Sequence, residues 1–582
     1  MSKILQVFYA LFSAILLSLA IQNEFLPWGS PFLGLFALVP LYIAFSRAES
    51  ARESGFLFSL TVSVTHLLSS FWLSNFKDFA LFTIGATTIW YTISCFFLGQ
   101  LFYGVFFIPP SKKLIIDSGK NSWHIPRRVF LFVSLYILFE WQKSTGFLAY
   151  PWGTLYMASY KWQIFSQIAA ITGTLGISWL FAFFSSVFAE GLILLNKVPL
   201  VKSMHRSFSA LAASLFLLFM LSMVYGTIIY TGKKEVIDYF DVILVQQNTD
   251  SWESDFQGDK KGILISQALS EKNLGQMEDK PDLIVWSESN INSLYLPDYY
   301  ERLEHYPPER PLLPFIRETQ VPFAIGGVVR LPQTKNQIKL EQEGFSVEEI
   351  NFGNAILIFD SDAKLDGYSA KSQLVPFAEA IPYADSLWMQ KLMQKTAGFS
   401  SGWTAGSEIR LFPLALKSGN TVRIANLVCF EDAFTDLCRK MNNLGADVFV
   451  NLTNDSWSKT NSAEIQHFVV ASFRALEFRK PLIRSTNSGY TVVVDAYGNR
   501  IADLPLFVSD ALSVSVPLYK NQLTTYARFG NWVPLCSALF VLFHCLLFLK
   551  NKIHAKVKSK ENLKGKKDIE RTLAKEDSNE NS

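Results

Sequence analysis

The chain has 582 residues, a net charge of only +3 and a charged fraction of 18%, while hydrophobic residues make up 50% of it. Ordinary globular proteins carry roughly 25% charged residues. The composition therefore excludes a disordered, collagen-like or coiled-coil chain and argues against a purely soluble one. The small net charge gives no indication of nucleic acid binding, and five cysteines are too few for a disulfide scaffold.

The charge is distributed unevenly along the chain. Residues 1–230 carry 14 Lys+Arg and 7 Asp+Glu, residues 231–549 carry 29 and 37, and residues 551–582 carry 9 and 6. The first part is too poor in charge for a soluble domain, and the last cannot build a core. We therefore predict a membrane domain over 1–230, a globular domain over 231–520, a final membrane helix over 521–550 and a charged, disordered tail over 551–582.

Apolar runs predict the membrane topology, because a spanning helix needs about 20 mostly apolar residues. Seven predicted spans precede residue 231 and an eighth follows the globular part; they lie near residues 4–22, 31–46, 55–74, 79–108, 128–142, 163–195, 208–230 and 530–550. Lys and Arg concentrate in alternate loops, beginning with Lys3, Arg47 and Arg52 on one side. The positive-inside rule then predicts cytoplasmic termini and a globular domain on the outer face.

Short apolar runs alternating with helical stretches predict an α/β sandwich between residues 235 and 520. The predicted strands are Phe240–Gln246, Asp282–Trp286, Phe323–Val329, Asn354–Asp360, Val422–Val428, Val448–Leu452, Leu482–Ser485 and Thr491–Asp495. The predicted helices are Glu431–Asn443 and Ala463–Arg479.

Cys429 is the first candidate for chemistry, because it follows a predicted strand and precedes a predicted helix. Backbone N–H groups at the start of a helix favour a thiolate and can hold an oxyanion. The alternative is a small buried hydrophobic residue.

Two charged residues beside apolar runs complete a possible acyl-transfer site. Glu288 ends the run Leu283-Ile-Val-Trp286, where desolvation raises a carboxyl pKa toward the range of a general base; the alternative is a surface turn residue. Lys371 precedes a run that ends at Glu379 and can stabilise developing negative charge; the alternative is an ordinary exposed lysine. Glu379 is either a partner of this site or a loop acid.

Several long motifs carry a resemblance to the nitrilase superfamily and, more closely, to the apolipoprotein N-acyltransferase family. They are Val285-Trp-Ser-Glu288, Lys371-Ser-Gln-Leu-Val-Pro-Phe-Ala-Glu379, Asn426-Leu-Val-Cys-Phe-Glu431, Asn454-Asp-Ser-Trp457, Arg474-Ala-Leu-Glu477, Arg484-Ser-Thr-Asn-Ser-Gly489 and Gly146-Phe-Leu-Ala-Tyr-Pro-Trp-Gly153. The resemblance covers about residues 1–550. It implies a multi-pass α-helical membrane domain of seven plus one spans that carries an inserted, nitrilase-like αββα sandwich in the periplasm of a bacterial inner membrane.

The resemblance also implies roles for individual residues. Glu288 would be the general base, Cys429 the nucleophile that holds the acyl chain as a thioester, and Lys371 the oxyanion ligand. The residues implied to support the site or contact substrate are Glu379, Phe430, Glu431, Trp252, Trp457 and Asn454.

The implied donor is a membrane phospholipid, expected to be phosphatidylethanolamine. The implied acceptor is the α-amine of a diacylglyceryl-cysteine on an apolipoprotein, and no cofactor, metal or nucleic acid is expected. Alternatives that remain open are a membrane amidase, a paralogue with another lipid acceptor, and a non-catalytic lipid-binding protein. The run Glu464-Ile-Gln-His467 offers half a metal site, but no second His follows at helical spacing.

The chain departs from the family pattern at a few positions. Phe430 stands where the family usually has Tyr, Ser287 stands for Pro, Gln247 for Gly, and Ala378 for Gly. Ser458-Lys459 follows Trp457 in place of Phe-Gly. These departures leave Cys429, Glu288 and Lys371 intact.

Overall fold

A computed structural model describes most of the chain. The described residues are 2–76, 80–107, 124–146, 148–195, 206–253, 256–295, 302–333, 335–342, 351–376, 379–380, 386, 388–389, 403–547, 549–550 and 553. The predicted tail at 551–582, apart from residue 553, and the departure at Ala378 lie outside these residues.

Helices dominate the part of the chain before residue 232. Their bounds are α1 Lys3–Ala20, α2 Pro31–Phe36, α3 Val39–Phe45, α4 Ala51–Ser69, α5 Thr87–Phe107, α6 His124–Lys143, α7 Gln163–Ser166, α8 Ala169–Thr172, α9 Thr174–Leu195 and α10 Arg206–Thr231. Shorter helical turns cover Phe71–Asn75, Leu81–Ala86 and Leu155–Lys161. Among the described helices, four are long and apolar enough to cross a membrane: Lys3–Ala20, Thr83–Gly104, Thr174–Leu195 and Arg206–Thr231.

Two of the predicted spans are not single helices. The region predicted at 31–46 forms the short helices α2 and α3, and the region at 163–195 is divided into α7, α8 and α9. Gly173 separates α8 from α9 with φ +67°, a conformation that ends a helix and that glycine adopts at little cost. The count of seven plus one spans remains a prediction.

Two β-sheets form the centre of the following part. Their strands are β1 Val236–Gln246, β2 Leu283–Trp286, β3 Ile291–Tyr295, β4 Phe323–Leu331, β5 Asn351–Phe359, β6 Leu365–Ala370, β7 Phe412–Ala415, β8 Thr421–Val428, β9 Val448–Thr453, β10 Leu482–Thr486, β11 Val492–Val494, β12 Arg500–Asp503 and β13 Asp510–Tyr519. The first sheet has the order β13-β1-β2-β4-β5-β6, with β3 beside β4, and the second has the order β12-β11-β10-β9-β8-β7. Neighbours β1 and β2 are parallel, as are β8, β9 and β10.

Helices cover the outer faces of both sheets, which gives an αββα sandwich. The remaining helices are α11 Phe256–Leu274, α12 Leu312–Thr319, α13 Lys335–Gln342, α14 Thr435–Asn443, α15 Asn461–Phe478, α16 Thr525–Phe529 and α17 Trp532–Leu547. Apolar side chains of β1, β2 and β4 meet those of β8, β9 and β10 between the sheets. The outer face of the first sheet packs on α11 and α12.

Helix α15 joins the sandwich to the membrane part. Every residue from Ser462 to Phe478 is buried, because one side of the helix faces the second sheet and the other faces the N-terminal helices. Gln466 donates to the backbone carbonyls of Gln22 and Ser69 over 2.7 and 2.9 Å. The Thr174 N–H donates to Glu477 over 3.0 Å. One continuous apolar core therefore includes both parts of the chain.

Candidate active site

Cys429 lies at a sharp turn between β8 and a single helical turn, Cys429–Ala433. Its backbone has φ 49°, in the left-handed region that a residue with a side chain enters only where the surroundings impose it. The buried run that precedes it fixes the strand end, and the first N–H groups of the helical turn have no acceptor within the helix. The turn therefore places a thiol beside backbone donors.

Glu288 follows β2 and is 4% exposed. One carboxylate oxygen accepts from the side-chain amide of Asn354 over 2.6 Å, and the other accepts from the backbone N–H of Asn454 over 2.7 Å. A Cβ atom on Gly326 would lie 2.5 Å from the Glu288 Cα. The carboxylate is thus held from two sides in a space that requires glycine at position 326.

Lys371 follows β6 and is 1% exposed. Its ammonium group lies 2.8 Å from a carboxylate oxygen of Glu379 and 3.7 Å from one of Glu288. Its backbone N–H donates to the Asn354 carbonyl over 2.7 Å. Glu379 also accepts from the backbone N–H of Val375 over 2.9 Å. Glu379 therefore contacts Lys371 directly, and its role in the site stays a prediction.

The charges of the cluster set its protonation. Burial raises the pKa of the Cys429 thiol, and the nearby Glu288 carboxylate raises it further, although Lys371 opposes this. Burial also raises the pKa of Glu288, against the lowering effect of Lys371. Burial alone would lower the pKa of Lys371, but the carboxylate of Glu379 and the neighbouring Cys429 and Glu288 raise it. These shifts favour a neutral thiol on Cys429 and a cation on Lys371, and they make Glu288 a better proton acceptor than an exposed glutamate.

Glu431 connects the cysteine turn to the segment after Lys371. One of its carboxylate oxygens accepts from the backbone N–H of Ser372 over 2.6 Å and from the hydroxyl of Ser372 over 2.7 Å. The other accepts from the Val428 N–H over 2.8 Å. Such charge-assisted hydrogen bonds are stronger than neutral ones, so Glu431 fixes the spacing between the two loops.

Aromatic residues from both parts of the chain surround the site. The ring of Phe430 stacks on Trp152 of the membrane part, with centroids 5.2 Å apart and planes within 9°. Trp457 contacts the rings of Trp72 and Phe76 at centroid distances of 5.7 and 4.5 Å. Trp252 contacts the same Phe76 at 5.9 Å.

A cavity of about 370 Å³ opens between the sandwich and the membrane part. The polar wall includes Glu288, Asn354, Lys371, Glu379, Cys429, Asn454, Asp455 and His467, and the apolar wall includes Trp72, Leu73, Phe76, Trp90, Tyr91, Leu148, Tyr150, Trp152, Val375, Trp403, Phe430 and Trp457. The predicted residues Trp252 and Trp457 also line it. A thiol, a carboxylate and a cation thus face a space that is mostly apolar.

A buried charge network lies behind Cys429, and the sequence analysis did not predict it. His467 on α15 places one ring nitrogen 2.8 Å from Asp455 and the other 3.1 Å from Asp432, and Arg484 pairs with Asp432. Asp432 belongs to the cysteine turn, and Asp455 follows Asn454, so the network ties together the loops that carry Cys429 and contact Glu288. The sequence motifs that begin at Arg484 and Asn454 contain two members of this network, Arg484 and Asp455, and could have indicated it.

The same network bears on metal binding. Cys429, Asp455 and His467 bring one ligand atom each within 4.8 Å of one another. Burial alone would lower the pKa of His467, but Asp455 and Asp432 raise it to about 9. A protonated imidazole donates from both nitrogens and has no lone pair for a metal. The residues present therefore form an ion-pair cluster, and the expectation that no metal is needed stays a prediction.

Comparisons with known proteins agree with this layout. Residues 13–187 match the apolipoprotein N-acyltransferase N-terminal domain, and residues 245–526 match the carbon-nitrogen hydrolase family. A Treponema denticola protein named apolipoprotein N-acyltransferase 2 is 37% identical over 550 residues, which cover 93% of this chain and 97% of that protein. This chain belongs to the apolipoprotein N-acyltransferase family.

Two further relatives of the family show the same extent of similarity. Apolipoprotein N-acyltransferase 2 of Treponema pallidum is 35% identical over 95% of this chain and 96% of its own length. Apolipoprotein N-acyltransferase of Borreliella burgdorferi is 32% identical over 90% of this chain and 92% of its own length. The family assignment made from the motifs is thereby confirmed, together with the nitrilase-like fold of the second part.

Two of the departures from the family pattern contact each other. The hydroxyl of Ser287 donates to the side-chain oxygen of Gln247 over 2.8 Å, and both residues are buried. A proline at 287 would remove the hydroxyl, and a glycine at 247 would remove its acceptor. The Ser287 hydroxyl, next to Glu288 in the chain, and the Gln247 side-chain oxygen are therefore hydrogen-bonded to each other although both are buried.

Proposed function

We propose that this chain transfers an acyl chain from a membrane phospholipid to the α-amine of the N-terminal S-diacylglyceryl-cysteine of apolipoproteins. The observation that carries the proposal is the shared cavity, in which Cys429, Glu288 and Lys371 face aromatic side chains of the membrane part. A soluble amide substrate would need no such apolar wall. The names of the relatives, apolipoprotein N-acyltransferases of bacteria, support the same reaction.

In the first half-reaction, Glu288 takes the proton of the Cys429 thiol as its sulfur attacks the ester carbonyl of the phospholipid. The S–C bond forms, the ester C–O bond breaks, and the proton passes to the leaving glycerol oxygen. The products are a thioester on Cys429 and a lysophospholipid. A base is required because the raised pKa of Cys429 keeps the thiol protonated.

The developing oxyanion is stabilised by Lys371 and by the backbone N–H of Phe430. Glu379 holds the Lys371 ammonium group 2.8 Å from its own carboxylate, so the cation is positioned before the reaction begins. A preorganised donor in a site with little water is worth far more than the same donor in solution. Glu431 and Asn454 hold the loops around these groups in fixed positions through their hydrogen bonds.

In the second half-reaction, the α-amine of the diacylated cysteine attacks the thioester. The N–C bond forms, the C–S bond breaks, and the thiolate recovers a proton that the amine loses through Glu288. Both substrates are lipids that use the same cavity in turn, which is ping-pong chemistry. The apolar wall excludes water, which would otherwise hydrolyse the thioester.

The positions of the substrates follow from the membrane topology that we propose. The protein lies in the bacterial inner membrane with both termini in the cytoplasm, and the sandwich lies in the periplasm. Seven spans precede the sandwich and one follows it, in accord with the Lys and Arg distribution in the loops. Phosphatidylethanolamine is the donor we expect. Trp252 and Trp457 contact substrate in this proposal, because both line the cavity beside Phe76.

Acyl transfer from a fluorescent phospholipid tests the proposal. Detergent-solubilised protein incubated with a fluorescent phosphatidylethanolamine should acquire a label that hydroxylamine removes, and Cys429→Ser should acquire none. Addition of a diacylated lipopeptide should move the label to the peptide amine. Absence of any adduct on the wild-type protein, or release of free fatty acid without transfer to the lipopeptide, would contradict the proposed acyltransferase.

Complementation provides the matching test in cells. The wild-type chain should restore growth to a bacterium depleted of its own apolipoprotein N-acyltransferase. The variants Glu288→Gln and Lys371→Ala should fail although they reach the membrane in equal amounts.

A further inference from the structure

A second cavity of about 230 Å³ adjoins the catalytic cavity. Trp90, Tyr91 and Leu148 line both cavities. The remaining lining residues of the second cavity are Ser94, Phe139, Gln142, Lys143 and Thr145. The two cavities are therefore close neighbours, separated by no more than these three side chains.

Lys143 is the charged residue of the second cavity. It ends α6 and is 7% exposed. None of the hydrogen bonds and ion pairs between described residues involves its ammonium group. It lies 5.4 Å from the centroid of the Tyr91 ring, and Glu140 on the same helix attracts it without a direct contact. A buried ammonium without an acceptor is costly, and an ionisable residue in the membrane part of a protein indicates a functional site.

The immediate neighbours leave the ammonium group available. Position 153 is glycine, and a Cβ atom there would lie 3.3 Å from the Lys143 ammonium nitrogen. Glu140 is the acid one turn earlier on α6. Its Oε1 accepts the backbone N–H of Leu155 over 2.6 Å, whereas its Oε2 has no hydrogen-bond partner among the described residues, so Glu140 balances the ammonium charge only through space. Space beside a cation that lacks a direct partner is what an anionic ligand requires.

Contacts lead from Lys143 to Cys429 through a few residues. The backbone carbonyl of Lys143 accepts from the Tyr150 N–H over 2.8 Å. Tyr150 stacks on Trp152 at a centroid distance of 5.1 Å, and Trp152 stacks on Phe430, the residue after Cys429. The stack of Tyr150, Trp152 and Phe430 thus connects the end of α6 to the cysteine turn.

We propose that Lys143 binds the phosphodiester of the phospholipid donor while the donor's ester lies at Cys429. The inference rests on the proposed function and adds a specific headgroup contact to it. Of the two substrates, only the donor carries a phosphate, whereas the reacting amine of the acceptor gains nothing from a cation. In a glycerophospholipid the phosphate and the scissile ester are joined by the glycerol backbone, which matches two cavities that share a wall.

The rate of thioester formation from fluorescent phosphatidylethanolamine tests this assignment in the full-length protein. Lys143→Met should slow thioester formation by roughly 10- to 100-fold, the effect of losing one hydrogen bond to a charged group. Lys143→Arg should restore most of the rate, and Lys161→Met, which removes an exposed lysine of the same region, should match the wild type. Alkylation of Cys429 by iodoacetamide should proceed equally in all four proteins.

The outcomes separate the assignment from the proposed function. A wild-type protein that forms no adduct contradicts the proposed function itself. An adduct formed as fast by Lys143→Met as by the wild type contradicts only the role of Lys143, and so does a Lys143→Arg variant as slow as Lys143→Met. Inhibition of the wild type by millimolar inorganic phosphate that excess phospholipid relieves, absent in Lys143→Met, would support a headgroup site at Lys143. Phosphate inhibition of equal size in Lys143→Met would contradict it.

Discussion

Three charged side chains near Cys429, those of Glu288, Lys371 and Glu379, differ in their environments and therefore in their proposed roles. Glu379 forms the shorter ion pair with Lys371. Glu288 lies farther from Lys371 and accepts hydrogen bonds from the uncharged N–H groups of Asn354 and Asn454. The strongly paired acid, Glu379, holds the cation in place. The less strongly paired acid has a raised pKa and is the better proton acceptor.

The pH profile of thioester formation reports this division. The reaction needs ionised Glu288, so its rate should rise with pH, and the midpoint should lie above the ordinary glutamate pKa because burial raises that of Glu288. Lys371 lowers the Glu288 pKa, so Lys371→Ala should move the midpoint to higher pH as well as reduce the maximum rate. Stopped-flow measurement of acyl-enzyme formation between pH 4 and 9 checks the midpoint of the wild type and its displacement in the variant. This pH range spans roughly the ordinary pKa values of Glu and Cys.

Glu288→Gln provides the control for that profile. It should lower the rate by about 10²- to 10⁴-fold, the usual contribution of a general base, and it should remove the rise on the acid side. An unchanged acid limb in this variant would assign the titration to another group.

At single positions, the sequence predicted the residues that end apolar runs. Glu288 and Cys429 each follow a buried strand, whereas Lys371 follows the partly exposed strand β6 and precedes an apolar run. The structure brings all three together, and their chemical roles stay proposals. Asn354 and His467 were not predicted as site residues. In the sequence, Asn354 is the first residue of a predicted strand and His467 is one polar residue within a predicted helix. Their contacts with the site depend on the tertiary fold, which the local sequence pattern does not show.

At the scale of elements, close packing between β4 and the end of β2 fixes the general base. A Cβ atom at Gly326 would lie 2.5 Å from both the Cα of Glu288 and the carbonyl oxygen of Ser287. Backbone atoms cannot rotate away as a side chain does. The position of Glu288 therefore depends on the absence of one methyl group on the neighbouring strand.

Gly326→Ala should consequently displace Glu288 and destabilise the sandwich. We expect a loss of about 1–3 kcal/mol in the free energy of unfolding, typical of overpacking, together with slower thioester formation. Gly262→Ala on α11 is the matched control, because its nearest contacts would be 3.8 Å away. Thermal unfolding in detergent and the fluorescent phospholipid assay give the two readouts. A Gly326→Ala protein with wild-type values of both would contradict the packing argument.

Central strands were predictable and peripheral ones were not. The runs that became β1, β2, β4, β5 and β8 to β11 are buried between the sheets or beneath helices, and their apolar sequences show it. Strand β13 alternates buried and partly exposed residues, and β12 is mostly exposed, so neither carries a continuous apolar run. The helix predicted at Glu431–Asn443 was wrong in its start: Cys429–Ala433 forms a separate turn and α14 begins at Thr435.

At the scale of the whole molecule, the membrane part and the sandwich share one core. The apolar run predicted as one span at 163–195 is divided into α7, α8 and α9 where it meets the sandwich. Around Gly173, the side-chain nitrogen of Trp532 donates to the Ile171 carbonyl over 2.9 Å. Tyr526 packs against Gly173 so closely that a Cβ atom there would lie 2.4 Å from its ring. A hydropathy profile detects the apolar run at 163–195, but it does not show the tertiary contacts at which the run is divided into separate helices.

The shared core predicts that the sandwich does not stand alone. Helix α15 is buried from Ser462 to Phe478, and separation from the membrane part would expose Phe468 and Phe473, which contact Tyr160 and Tyr156 there. A fragment of residues 231–520 should therefore aggregate or require detergent, since soluble proteins rarely expose large apolar patches. Size-exclusion chromatography and thermal unfolding of the fragment, beside the full chain in the same detergent, check this. A monomeric fragment that unfolds cooperatively without detergent would show that the sandwich is independent and that its position over the membrane depends on the flanking helices alone.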